Sequence, residues 1–108
     1  MSFDLPASVA AYFAADKGNV ETFAKCFTDD AVVKDEGHTY IGINEIRRWK
    51  AETSSKYTYT SEPFASEERG EKIVVTSRLT GNFPGSPVNL HFFFELEHDK
   101  IASLEIVS

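Results

Sequence analysis

The sequence predicts an α+β domain in which three helices pack on one face of a curved, mostly antiparallel sheet. Two observations carry this expectation. Apolar residues recur at three- and four-residue spacing along most of the first half of the chain, and from Tyr57 onward the period becomes two. The length supplies a third: 108 residues make one domain, spanning 1–108, that buries roughly two thirds of its unfolded surface without disulfide or metal staples.

Leu5, Val9, Tyr12 and Phe13 form one helical stripe, with Asp4 and Pro6 as start signals. Asp16-Lys17-Gly18-Asn19 ends it, and Asn19 is placed to cap a second helix whose face is Val20, Phe23, Ala24 and Phe27. Ala31 to Asp35 is a β-branched strand, Glu36-Gly37-His38 a turn, and Thr39 to Ile41 a brief second strand. Gly42 marks a switch from extended to helical chain. A third helix from Ile43 to Ser54 turns Ile46, Trp49 and Thr53 inward and Arg47, Lys50 and Glu52 outward. Four long antiparallel strands follow: Tyr57 to Glu67, Lys72 to Phe83, Val88 to His98 and Lys100 to Val107. Alternation turns Leu90, Phe92, Phe94 and Leu96 toward the helices and leaves His91, Phe93 and Glu95 on the outer face. An exposed aromatic in such a file calls for a partner subunit. In the preceding strand Ile73, Val75, Ser77 and Leu79 make an inward file that leaves Arg78 outside; an inward Arg78 would need an acidic protein group or an anionic ligand.

Composition excludes several function classes. Eleven basic residues against seventeen acidic give a net charge of −6, which repels phosphate backbones and speaks against nucleic acid as a partner. The most apolar stretch, Leu90 to Phe94, is interrupted by His91 and falls far short of the roughly 20 residues of a membrane span. No basic region followed by an apolar one opens the chain, so a cytoplasmic location is expected, without membrane attachment. Cys26 stands alone between Phe23 and Phe27 and reads as a buried, reduced thiol. The three histidines lack metal-ligand spacing, and neither a phosphate-binding loop nor a Gly-x-Ser-x-Gly elbow is present; no metal and no cofactor is expected.

The stretch Cys26-Phe27-Thr28-Asp29-Asp30-Ala31-Val32-Val33-Lys34-Asp35, followed by Tyr40-Ile41-Gly42-Ile43-Asn44-Glu45-Ile46-Arg47-Arg48-Trp49, resembles the SnoaL-like branch of the nuclear transport factor 2-like superfamily. The resemblance covers nearly the whole chain. It implies a cone-shaped fold, a pocket between helices and sheet, and a homodimer formed by the outer sheet face, with His91, Phe93 and Glu95 at the interface. It does not name a substrate, because this fold hosts isomerases, cyclases, dehydratases, hydrolases and modules without chemistry.

Asp30-Ala31-Val32-Val33-Lys34-Asp35 is locally similar to the ketosteroid isomerase branch, in which a strand after the second helix ends in an aspartate that acts as general base. A carboxylate beside an apolar substrate is partly desolvated, which raises its pKa toward the range where it moves protons between carbon atoms. The other reading of Asp35 is a residue that closes the turn with Gly37. The isomerase pairs its base with an oxyanion hole of a tyrosine and a protonated aspartic acid. Here the corresponding strand position is Phe92, and Tyr12 stands in for the tyrosine only if the first interhelical turn is one residue shorter; an ungapped match puts Ala11 there. The epoxide-hydrolase pattern has Arg78 but Thr80 in place of an aspartate. The dehydratase pattern needs pocket histidines, whereas His91 faces outward and His38 and His98 sit in turns.

The expectation is thus a small-molecule-pocket protein binding a small apolar organic ligand. It is either a cofactor-independent isomerase or polyketide-cyclase-like enzyme using Asp35 and Tyr12, or a noncatalytic binding or protein-interaction module. The pocket is expected to be lined by Phe13, Phe27, Val33, Trp49, Tyr57, Tyr59, Phe92 and Phe94.

Overall fold

The computed structural model describes residues 5–15 and 20–108. Its elements in chain order are α1 (Ala7–Ala15), α2 (Val20–Ala24), β1 (Phe27–Asp35), β2 (His38–Ile41), α3 (Ile43–Lys56), β3 (Tyr59–Arg69), β4 (Lys72–Gly81), β5 (Val88–Glu97) and β6 (Lys100–Val107). The six strands form one mixed sheet in the order β2-β1-β6-β5-β4-β3. β1 runs parallel to β6, and the other neighbours are antiparallel. The helices are not all N-terminal to the sheet, since α3 follows the β1–β2 hairpin. The expected start signal at Asp4, the turn at residues 16–19 and the cap at Asn19 lie outside the described residues.

The core is the seam between the helices and the inward files of the strands. Val9, Tyr12 and Phe13 of α1, Phe23 of α2 and Ile46 and Trp49 of α3 are buried with Val75, Phe92, Phe94, Ile101 and Leu104 of the sheet. Tyr12 stands at its centre, with the rings of Phe13, Phe23, Phe27, Phe92 and Phe94 around it at 5.0 to 6.1 Å. Most of these contacts are edge-on, the arrangement that ring quadrupoles favour.

Several elements differ from the sequence expectation, α2, β1 and α3 for physical reasons. The second helix was expected to reach Phe27 but stops at Ala24, and the strand expected from Ala31 begins at Phe27. The cause is tertiary: the Cys26 carbonyl accepts the Ile101 N–H at 2.8 Å and Phe27 pairs with Ile101, so β6 draws the chain into the sheet against its local helical period. Cys26 itself is a buried free thiol in the connection, held above its ordinary pKa by burial and only partly offset by the nearby Lys100 charge. On α3, Lys50 was expected outward and is only 2% exposed. It lies at i+4 from Ile46 and beside Trp49, so its hydrocarbon stem shares the buried stripe, and its ammonium sits 5.1 Å from the Phe23 ring centroid.

The sheet faces follow the alternation. Val75 and Ser77 are buried on the inward file of β4 while Arg78 is exposed beside Glu62 and Asn89 in register. The same register sets Val74 opposite Phe93 and Thr76 opposite His91 on the outer face.

Candidate functional site

A cleft of about 770 Å³ opens between α3, the β1–β2 hairpin and the inward face of β3 to β6. Its apolar walls are Tyr12, Trp49, Tyr57, Tyr59, Leu79, Leu90, Phe92 and Ile106, and Phe83 to Gly85 of the β4–β5 connection border it. A polar group lies at the hairpin end: Asp35, Glu36, His38 and Tyr40, with Glu52 from α3. Ser61 also reaches the cleft and shares a 2.7 Å hydrogen bond with the fully buried Ser77, so this inward polar pair is satisfied within the sheet.

Asp35 is the last residue of β1, on the same inward file as Ala31 and Val33. Its Oδ2 accepts the Trp49 indole N–H at 3.1 Å, and among the described residues Oδ1 has no donor. Burial holds the carboxyl above the ordinary carboxylate pKa and Glu36 adds to the rise, while the indole hydrogen bond and the nearby His38 work against it. The Tyr40 phenol is likewise pushed up, first by desolvation and then by the carboxylates of Asp35, Glu52 and Glu36. Its ring lies 6.0 Å from that of Trp49 and 6.4 Å from that of His38. The arrangement can hold a flat or compact apolar molecule against aromatic walls with one desolvated carboxylate at its edge.

Of the residues expected at the site, Asp35, Tyr12, Trp49, Tyr57, Tyr59 and Phe92 line the cleft. Phe13, Phe27, Val33 and Phe94 do not: they belong to the packed core. The inward files run past the cleft, and the stretch covered by α1 and α2 is filled by their side chains; the rings of Tyr12 and Phe13 lie 5.3 and 6.0 Å from that of Phe94. His91, Phe93 and Glu95 are half-buried on the opposite face of the sheet, with His91 Nδ1 3.1 Å from Thr76 Oγ1. Tyr40, Lys50 and Ser61 line the cleft without having been singled out from the sequence, and His38, expected in a turn and so outside the pocket, lines it as the first residue of β2. Glu36 and Gly37 both have positive φ and form a two-residue hairpin loop, which takes His38 out of the turn and makes it the first residue of β2. Among the described residues no group of His, Cys, Asp and Glu side chains could hold a metal ion, and no helix is long and apolar enough to cross a membrane.

Three described helices packed on a six-stranded mixed sheet give the fold class known from ketosteroid isomerase-like and nuclear transport factor 2-like proteins. The SnoaL-like domain matches residues 9–104, and the chain belongs to that family. A candidate polyketide cyclase from Sinorhizobium meliloti is similar over 96% of both chains, with 39% identity and a TM-score of 0.92. A protein of ketosteroid isomerase-like fold from Catenulispora acidiphila, solved in complex with trimethylamine, superposes with a TM-score of 0.85 at 21% identity over 97% of this chain and 87% of that one. TerC, co-crystallised with polyporic acid, does so with a TM-score of 0.75 at 17% identity over 93% of this chain and 87% of its own. No curated protein matches the sequence.

Proposed function

We propose that the cleft binds a small, largely apolar organic molecule and that Asp35 serves in it as the proton acceptor of a cofactor-independent enzyme of the isomerase or polyketide-cyclase kind. One observation carries this reading: a desolvated carboxylate at the wall of an aromatic cleft, anchored through one oxygen by the Trp49 indole. Burial makes the carboxylate a stronger base than in water, and the anchor limits the orientations it must search, so a carbon acid bound against the wall would meet a placed base. Tyr12, on the same cleft, is the first candidate for a hydroxyl that receives the developing negative charge on oxygen. The similarity to a candidate polyketide cyclase, and the organic ligands of the Catenulispora protein and of TerC, support a ligand of this class. The reading takes residues 1–108 as one SnoaL-like domain and a homodimer through the outer sheet face as its assembly.

Phe92 favours a second reading, a noncatalytic ligand-binding module, because it occupies the place where the isomerase resemblance calls for an acid. Deuterium exchange separates the two. Apolar cyclic ketones such as 2-tetralone are incubated with the protein in deuterated buffer, and label at the carbon beside the carbonyl is followed by NMR. The enzyme reading expects exchange above the buffer rate that falls by about 10²–10⁴-fold in Asp35→Asn, the usual worth of a placed base. Ketones that quench Trp49 fluorescence on binding and exchange no faster than in buffer leave the binding module in its place.

A further inference from the structure

Enolisation leaves negative charge on oxygen, so a base alone does half of the work and a group of opposite character must face the carbonyl. The two-residue loop Glu36-Gly37 puts His38 directly across the hairpin from Asp35, as one antiparallel pair. Residues paired in this way project to the same face with Cβ atoms about 4.5–5.5 Å apart. Both line the cleft. A pair at that spacing lets one small carbonyl compound touch both. His38 lies at the exposed rim, its ring 6.4 Å from that of Tyr40, and among the described residues its nitrogens have no hydrogen-bond partner. The anchoring of Asp35 by Trp49 leaves Oδ1 without a donor on the same edge of the cleft.

We propose that His38 at the rim, in place of the core-enclosed Tyr12, is the acid that works opposite Asp35, making the substrate an enolisable ketone or β-dicarbonyl compound whose oxygen lies at the hairpin rim and whose apolar body lies along the aromatic walls. The proposal rests on the reading of Asp35 as a base. In the step, the carbon–hydrogen bond beside the carbonyl breaks and its proton goes to Asp35. The electron pair of that bond moves through the new carbon–carbon double bond onto the carbonyl oxygen, which takes a proton from the His38 imidazolium. The products are a neutral enol, a protonated Asp35 and a neutral His38. Return of the enol proton to His38, with delivery of the Asp35 proton to either end of the conjugated system, restores both groups and releases an isomer or the starting ketone. Nothing is oxidised or reduced. Burial holds the Asp35 pKa up, and the Trp49 hydrogen bond and, more weakly, the nearby His38 work against that rise.

The test uses 2-tetralone exchange in deuterated buffer with wild-type protein, His38→Gly, His38→Gln and Asp35→Asn. Removal of His38 should lower the exchange rate at saturating ketone by at least about 10²-fold, with the ketone affinity read from Trp49 fluorescence changed little. Millimolar imidazole should restore a substantial part of the rate to His38→Gly and none to Asp35→Asn, because the rim position admits a free imidazole to the vacated space. His38→Gln reports folding, since a residue exposed at a hairpin rim should leave the urea midpoint near that of the wild type. His38→Gly exchanging as fast as wild type overturns the proposal while leaving Asp35 as base. Activity lost in both His38 variants and not restored by imidazole also overturns it, since that pattern marks a scaffold residue. A wild type inert toward ketones that it binds removes Asp35 as base and His38 with it.

Discussion

At the scale of the residue, Asp35 joins two opposing effects whose balance can be measured. Burial disfavours its ionised form and the Trp49 N–H favours it. The net folded pKa lies above the unfolded one, so the carboxylic acid form contributes stability that is fully present below the unfolded pKa and is lost as pH rises through the folded pKa. Asp35→Asn should therefore match or exceed the wild type in urea stability at neutral pH, and its advantage should shrink as pH falls through the folded pKa and be gone below the unfolded one; a clearly less stable variant at pH 7 would mark a structural carboxylate. Trp49→Phe removes the donor that holds the charged form. Carboxyl NMR titration of that variant should find the Asp35 pKa higher still, and an unchanged or lower value would show that the indole contact carries no weight. Asp35 was legible at the cleft because its strand resembles the ketosteroid isomerase branch, in which the strand after the second helix ends in an aspartate; the residue pattern alone also fitted a turn with Gly37. Lys50 was not. Its charge suggested solvent although its i+4 spacing from Ile46 put it on the buried stripe, and the place of its ammonium near the Phe23 ring is set by packing rather than by that period.

The element scale shows where local pattern yields to pairing. Helix α3, the meander and the inward files of β4 and β5 were legible because each obeys one period over many residues. The α2–β1 boundary was not, because Phe27 satisfies the helical stripe as well as the strand, and only its pairing with Ile101 decides between them. Phe27 is fully buried in either case, and Phe27→Ala should cost about 3–5 kcal/mol in urea unfolding; a loss under about 1 kcal/mol, typical of surface changes, would contradict its packing against Tyr12 and Phe23. Gly81 gives a second check. It ends β4 opposite Tyr59, and a Cβ there would lie 2.6 Å from the Tyr59 Cβ and closer still to the Thr58 carbonyl oxygen. Backbone cannot step aside as a side-chain tip does. Gly81→Ala should then destabilise the fold by about 1–3 kcal/mol, the usual penalty of overpacking, and weaken ketone binding, because Tyr57, Tyr59 and Phe83 border the cleft around it. A variant as stable as wild type would show that β3 is free to move away.

At the scale of the molecule, one face of the sheet is covered by helices, and among the described residues the other has only its own side chains. Val74 is 5% exposed on that outer face even in the single chain, with Phe93 opposite it in β5 and Glu67 opposite it in β3. Phe93 is half-buried, Val107 lies 38% exposed opposite His91, and the ion pair Lys72–Glu95 at 3.4 Å flanks the strip. An apolar centre with charged residues at its margin is the layout of an interface, and a two-fold axis would set each Phe93 against the same strip of the second copy. The Lys72–Glu95 pair is too exposed to hold such a dimer, since pairs of this kind are worth about 0–1 kcal/mol. Affinity must then come from burying Phe93 and Val107, since Val74 is already covered within the chain, at roughly 25 cal/mol per Å² of apolar surface. Phe93→Lys would place a charge from each copy at the centre of the interface, where its loss of hydration far outweighs any gain from neighbouring Glu105. Sedimentation should accordingly find wild type at dimer mass at micromolar concentration and Phe93→Lys at monomer mass with an unchanged far-UV spectrum. Because the cleft opens on the other face, the monomeric variant should still bind and exchange 2-tetralone within a few-fold of wild type. A wild type already monomeric, or a variant that keeps dimer mass, would assign the outer face of the sheet to solvent.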